Sequence, residues 1–143
     1  MSIEIRRVRT GAEREQALAL RRRVFVEEQG VPEADELDGR DDEGLHLVAV
    51  DGERVLGTCR LVFAGATVQL SRLAVEPACR RTGLASRLLE AADVETRAGG
   101  GRRVVLHAQT YARTLYDTHG YVPRGPAFVV ANIEHVAMEK AIA

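Results

Sequence analysis

Cysteine is scarce in this chain: Cys59 and Cys79 are the two in 143 residues, and neither has metal-ligating neighbours in sequence. Two cysteines make no disulfide framework, so no metal site is expected and a reduced cytoplasm is the natural setting. A basic excess is lacking as well. The formal net charge is -1, from 20 Lys and Arg against 21 Asp and Glu, whereas a domain built to hold nucleic acid carries a clustered positive surplus. Arginines do gather at Arg21-Arg22-Arg23, Arg80-Arg81 and Arg102-Arg103, but acidic stretches balance them. There is no long apolar run, and a charge arrives at Glu4, so neither a signal peptide nor a membrane span is expected. Repeats, low-complexity tracts and an evident linker are also missing.

What is present reads as one domain, residues 1–143, of ordinary globular composition, 45% hydrophobic and 29% charged. Ile3 to Val8 alternates apolar and charged residues, as a half-buried strand does. Thr10-Gly11-Ala12-Glu13 is a capping box opening a helix that runs through Leu18 and Leu20 into Arg23 or Val24, with Gly30-Val31-Pro32 as its stop. From there to Gly44 the chain reads as a loop rich in carboxylates. Leu45 to Val50 and Arg54 to Phe63 are strand-like and joined at Asp51-Gly52, a hairpin signal. Ala64-Gly65-Ala66 turns into a third run, Thr67 to Val75. Leu84, Leu88, Leu89 and Ala92 give one apolar face to a helix from Leu84 to Arg97, ended by Gly99-Gly100-Gly101. Val104 to Leu106 is a buried strand, Ala112 to Thr118 a short helix, and Phe128 to Met138 the final strand. The order predicts an α+β domain, a mixed and mostly antiparallel sheet flanked by helices.

Between the third strand and the long helix lies Arg80-Arg81-Thr82-Gly83-Leu84-Ala85, a basic turn shaped to hold phosphate. The first turn of a helix leaves N–H groups unpaired and carries partial positive charge. Gly83, lacking Cβ, admits a bulky anion and positive φ, and two arginines add bidentate donors. The turn lacks the Lys-Ser/Thr ending of a P-loop and the three glycines of a dinucleotide fingerprint.

The turn resembles the pyrophosphate signature of the GNAT N-acetyltransferase superfamily, Arg/Gln-x-x-Gly-x-Gly/Ala, matched by Arg80, Gly83 and Ala85. A second match follows after one helix and one strand: Gln109-x-x-Ala112-x-x-x-Tyr116-x-x-x-Gly120-Tyr121 resembles the family's Asn-x-x-Ala-x-x-x-Tyr-x-x-x-Gly-Phe. Arg23 to Pro32, Asp35 to Asp38, His46 and Ile133-x-His135-Val136-x-Met138 extend the resemblance to the ElaA-like subgroup and over nearly the whole chain.

The resemblance implies an acetyl-CoA-dependent N-acetyltransferase, in which the neutral primary amine of a small molecule or peptide attacks the thioester directly. It assigns the pyrophosphate to Arg80, Arg81, Thr82, Gly83, Leu84 and Ala85, helped by Ser86. The pantetheine arm goes to the backbone edge of Leu73, Ala74 and Val75, where an N–H can also polarise the thioester carbonyl. Tyr116 takes the place of the family's tyrosine, which protonates the leaving thiolate; a phenol with a pKa of ~10 holds its proton at neutral pH. Gln109, standing for the family's Asn, is assigned a cofactor contact.

A proton must also leave the amine. Several family members carry that base on the strand before the phosphate turn, where this chain has Gln69 and Ser71, and neither is competent. Glu28 and His46 are taken as the candidates, beside Glu27 and His107, each with a competing solvated or packing role. His119 and His135 are less favourable on position. The segment with Glu33, Asp35, Glu36, Asp38, Asp41, Asp42 and Glu43 is either a solvated loop or a gatherer of a cationic acceptor. Two further functions stay open. One is an acyl-CoA-binding sensor or interaction module of the same fold without turnover. The other, suggested by Arg23 and Phe25 with Asp35 and Asp38, is an acyl-homoserine-lactone-synthase-like acyltransferase, for which the chain is short. Oligomeric state is not written in the sequence, and a homodimer is compatible with it.

Overall fold

The computed structural model describes residues 2–143. After β1 (Glu4–Arg7), the expected box forms: the Thr10 hydroxyl accepts the Glu13 N–H at 3.1 Å, and the Glu13 carboxylate takes the Arg9 N–H at 2.8 Å. Helix α1 (Gly11–Arg21) does not stop at Val24 but widens into a π-helical turn over Arg22–Glu28, and Gly30 at φ 75 ends it. Within the stretch expected to be loop lies a one-turn helix, α2 (Glu33–Glu36). Tertiary ion pairs of Glu36 hold that turn, and no local pattern announces them.

Strands β2 (Leu45–Asp51), β3 (Arg54–Ala64) and β4 (Thr67–Val75) form the antiparallel meander. Asp51 pairs with Arg54, so the first hairpin turns at Gly52-Glu53, one residue past the expected corner. Helix α3 (Leu84–Ala98), strand β5 (Arg103–Gln109) and helix α4 (Arg113–Thr118) follow. The single last strand expected from Phe128 to Met138 is instead two, β7 (Phe128–Val130) and β8 (Ile133–Ala141), with β6 (Val122–Pro123) before them. Ala131 and Asn132 both take positive φ, 51° and 62°, which folds β7 back onto β8. Neither residue carries the glycine that usually marks such a turn.

One mixed sheet runs β1-β2-β3-β4-β5-β8-β6, with β7 also on β8; β4 and β5 are the parallel pair. Helix α3 covers one face through Leu88, Leu89 and Ala92, against Leu47, Cys59, Leu61, Val68 and Leu70. Helix α1 covers the other through Ala17, Leu20 and Val24, against Val48, Val50, Val55 and Ala74. Val68 and Leu70 thus face α3 while Ala74 faces α1, although strict alternation would put all three on one side. The cause is a bulge. Thr58 pairs with Ala74 and Arg60 with Ser71, so β4 carries one residue more than β3 there, and Arg72 adopts φ 58. One extra residue reverses which face every later side chain meets. No helix among the described residues is long and apolar enough to cross a membrane.

Candidate active site

The parallel ladder between β4 and β5 covers three pairs, Thr67 with Arg103 to Gln69 with Val105. Beyond them the two strands part, while each keeps its outer antiparallel partner. The inner edge of β4 from Leu70 to Val75 is therefore left without a strand, and a cavity of about 520 Å³ opens between it and Leu106, His107, Gln109 and Tyr116 of β5 and α4. Such an edge offers backbone donors and acceptors to an extended ligand. The bulge lies in this edge. Arg72 is held there by Glu36, its Nε 2.8 Å from Oε2, and by the Asp35 and Glu36 carbonyls, which accept from its Nη2 at 3.1 Å each. A non-glycine residue at positive φ costs energy, and here tertiary contacts hold it.

At the α3 end the chain makes the turn that the sequence suggested. Arg81 at φ 63 and Gly83 at φ 86 are both left-handed, so successive N–H groups line a concavity as the helix begins. The first intrahelical bond is from the Arg87 N–H to the Gly83 carbonyl, 3.1 Å, and the earlier first-turn donors have no intrahelical acceptor. A second cavity, about 240 Å³, is lined here by Arg80, Arg81, Gly83, Leu84, Ala85 and Ser86, and it shares Val75, Arg80, Ala85 and Leu115 with the first. Thr82 instead donates its hydroxyl to the Cys79 carbonyl and braces the turn. Arg80 is engaged in both directions of its fork by Glu28, at 2.6 Å to each carboxylate oxygen.

Tyr116 lines the larger cavity from α4. Its ring meets Tyr121 edge-on, centroids 5.9 Å apart at 83°, and the buried Tyr121 hydroxyl behind it has no hydrogen-bond partner among the described residues. Burial, then the nearby Cys59 and Tyr111, pushes the Tyr116 phenol well above its ordinary value, so it keeps its proton at neutral pH. Gln109 reaches across the opening: its Nε2 donates to Gln29 Oε1 at 2.7 Å, and Gln29 in turn donates to the Tyr111 hydroxyl at 3.2 Å.

The candidate bases part company. His46 sits on β2 opposite Arg60, with Nε2 2.8 Å from the Asp41 carbonyl, and does not line the cavity. Glu28 lines it, but the bond to Arg80 holds its carboxyl below the usual range. Glu27 is exposed beside Arg22. His107 and His135, by contrast, both border the cavity and both meet the Phe128 ring, His107 edge-on at 5.1 Å and His135 stacked at 5.8 Å between centroids. His107 is exposed at the cavity rim, and partial desolvation there, then the neighbouring His135, lowers its pKa. The Ile133 carbonyl can only accept, so His135 donates to it from Nδ1 at 2.7 Å and keeps Nε2 free of a proton when neutral. The β7–β8 turn, which lays Phe128 against His135, was not expected from the residue pattern.

The acidic segment is neither solvated throughout nor free to gather cations. Arg21, 1% exposed, pairs with Glu36 at 3.0 Å and Asp41 at 2.7 Å; Arg60, 2% exposed, pairs with Asp38 at 2.7 Å and Asp41 at 2.9 Å. The Arg60 hydrogen bonds hold the Asp38 carboxyl far below the carboxylate range; for Asp41, burial pulls upward but Arg21 and Arg60 win. Asp35 alone of the segment lines the cavity without an ion pair among the described residues.

The chain belongs to the acetyltransferase (GNAT) domain family, whose model matches residues 11–142. It is similar to the uncharacterized N-acetyltransferase YjcF of Bacillus subtilis, 34% identical over 125 residues, 87% of this chain and 89% of that one. Among solved structures, an acyl-CoA N-acyltransferase from Pseudomonas aeruginosa is 29% identical with a TM-score of 0.87, covering 98% of this chain and 100% of the other. Escherichia coli ElaA shares the fold at 21% identity and a TM-score of 0.87, covering 97% and 99%.

Proposed function

We propose that the protein is an acetyl-CoA-dependent N-acetyltransferase of the ElaA-like subgroup that acetylates a primary amine by direct attack on the thioester. The observation that carries this reading is the continuity of the two cavities, which runs from the open β4 edge to the N–H groups at the start of α3. In it, the pyrophosphate of coenzyme A lies on the turn from Arg80 to Ser86, and the pantetheine arm completes the ladder that β5 leaves at Gln69. An N–H beside the Arg72 bulge polarises the thioester carbonyl. His107, neutral and bordering the cavity, takes the ammonium proton directly or through water. The amine nitrogen then forms the new bond to carbon, the carbon–sulfur bond breaks, the Tyr116 hydroxyl gives its proton to the departing thiolate, and the second proton shed by the new amide nitrogen returns through water to the phenolate. The test is release of free coenzyme A thiol from acetyl-CoA across a panel of primary amines. Acceptor-dependent release supports transfer; tight coenzyme A binding without release on any amine would make the protein a sensor.

A further inference from the structure

Arg80 stands at the junction of the two cavities and lines both, whereas Glu28 lines only the larger one. Both outer nitrogens of Arg80 are spent on Glu28, and Glu28 has no other ion-pair partner among the described residues. A guanidinium closed end-on over a carboxylate keeps only its Nε–H side and the outward N–H groups for a phosphate. A pyrophosphate at the α3 turn therefore competes with Glu28 for the end-on fork of Arg80, and where it wins it leaves an unpartnered carboxylate facing the cavity that borders the β4 edge. Resting on the acetyl-CoA reading above, we propose that Glu28 is the subsite that receives the acceptor amine as its ammonium ion, masked by Arg80 in the free enzyme and uncovered when the donor's pyrophosphate claims Arg80.

The arrangement makes the donor prepare the acceptor's place. An amine arriving first must compete with Arg80 for Glu28; one arriving second finds the carboxylate open. Because linkage is reciprocal, an ammonium ion on Glu28 must also favour coenzyme A by releasing Arg80. Arg80 and Glu28 are 40% and 44% exposed, so the coupling is modest and is weakened by salt.

Calorimetric titration of coenzyme A at low salt tests this without knowledge of the natural acceptor, using n-butylammonium chloride as the probe against equal sodium chloride. In the wild-type protein the probe tightens coenzyme A about twofold or more, and in Glu28→Gln it has no effect. Glu28→Gln alone binds coenzyme A about two- to fivefold more tightly than wild type, because Arg80 is already free. In an Arg80→Ala background, the same Glu28→Gln change does nothing further. Absence of either the probe effect or the Glu28→Gln effect overturns the proposal. So does a Glu28→Gln gain that persists without Arg80, which would be plain repulsion between carboxylate and phosphate. Coenzyme A failing to bind wild type at all would instead remove the acetyl-CoA reading, and this inference with it.

Discussion

The two ends of the β4–β5 opening are made of different materials. Toward α3, the contacts on offer are backbone N–H groups set by left-handed Arg81 and Gly83 and by the start of a helix. Toward α2 and the β7–β8 turn, they are side chains held by other side chains: Arg72 by Glu36, Arg60 by Asp38 and Asp41, His135 by the Ile133 carbonyl. A backbone site needs only a local turn and tolerates changes in most side chains. A side-chain site depends on partners far apart in sequence.

The largest way to break that contrast is Arg60→Ala. It leaves Asp38 and Asp41 without their shared buried guanidinium, a loss of about 3–5 kcal/mol in denaturant unfolding. Coenzyme A binding by the folded fraction is expected to survive, because no donor-end contact involves Arg60. The same pairs set the acid limit. Asp38 and Asp41 have folded pKa values below their unfolded ones, so their stabilisation is complete above about pH 4 and is lost as pH falls through the folded values. Acid unfolding that starts at higher pH in Arg60→Ala than in wild type is the expected sign.

Tyr116→Phe comes next. If its hydroxyl serves only the departing sulfur, as proposed, kcat falls ~10²-fold with coenzyme A affinity nearly unchanged. An unchanged kcat under chemistry-limited conditions would reduce the ring to packing against Tyr121. Gly83→Val strikes the backbone end. An added Cβ would meet nothing within 4 Å, so the cost arises from φ 86 alone, about 1–3 kcal/mol, and relief of that strain turns the N–H groups away. Coenzyme A is expected to bind roughly 10- to 100-fold more weakly to a protein that still folds; undiminished calorimetric binding would take the pyrophosphate off this turn. Smallest is Asp35→Asn. With Glu36, Asp38 and Asp41 committed to arginines, Asp35 is the carboxylate of its segment left to greet a cation in the cavity. A rise of about two- to fivefold in acceptor KM, fading with added salt, is expected, and no change would return Asp35 to solvent.

The same contrast explains what could be read in advance. The strand–turn–helix around Gly83 was legible because phosphate turns are local: glycine, flanking charge and a helix start fall within a few residues. The meander and α3 were legible from period and turn residues, with the first corner displaced by one position. The bulge at Arg72 was not: the alternation of β4 does break at Ser71-Arg72, but a bulge is a relation between two strands, and one strand's pattern does not say which partner residue it lies against. Nor was the fate of the acidic segment. Seven carboxylates in eleven positions look solvated until Arg21, Arg60 and Arg72 arrive from elsewhere in the chain. His46 read as a candidate base on chemistry alone, and only the sheet register shows it turned toward the Asp41 carbonyl and away from the cavity.

The most direct measurement is a crystal structure of the protein with coenzyme A. The expected result is a ligand lying in the β4–β5 opening, its pyrophosphate on the N–H groups between Arg81 and Ser86, its arm bonded to the β4 backbone from Leu73 to Val75, and its sulfur within hydrogen-bonding reach of the Tyr116 hydroxyl. A ligand seated elsewhere, or one whose sulfur lies at the far end from Tyr116, would contradict the placing of the donor on the backbone-built end and the open β4 edge.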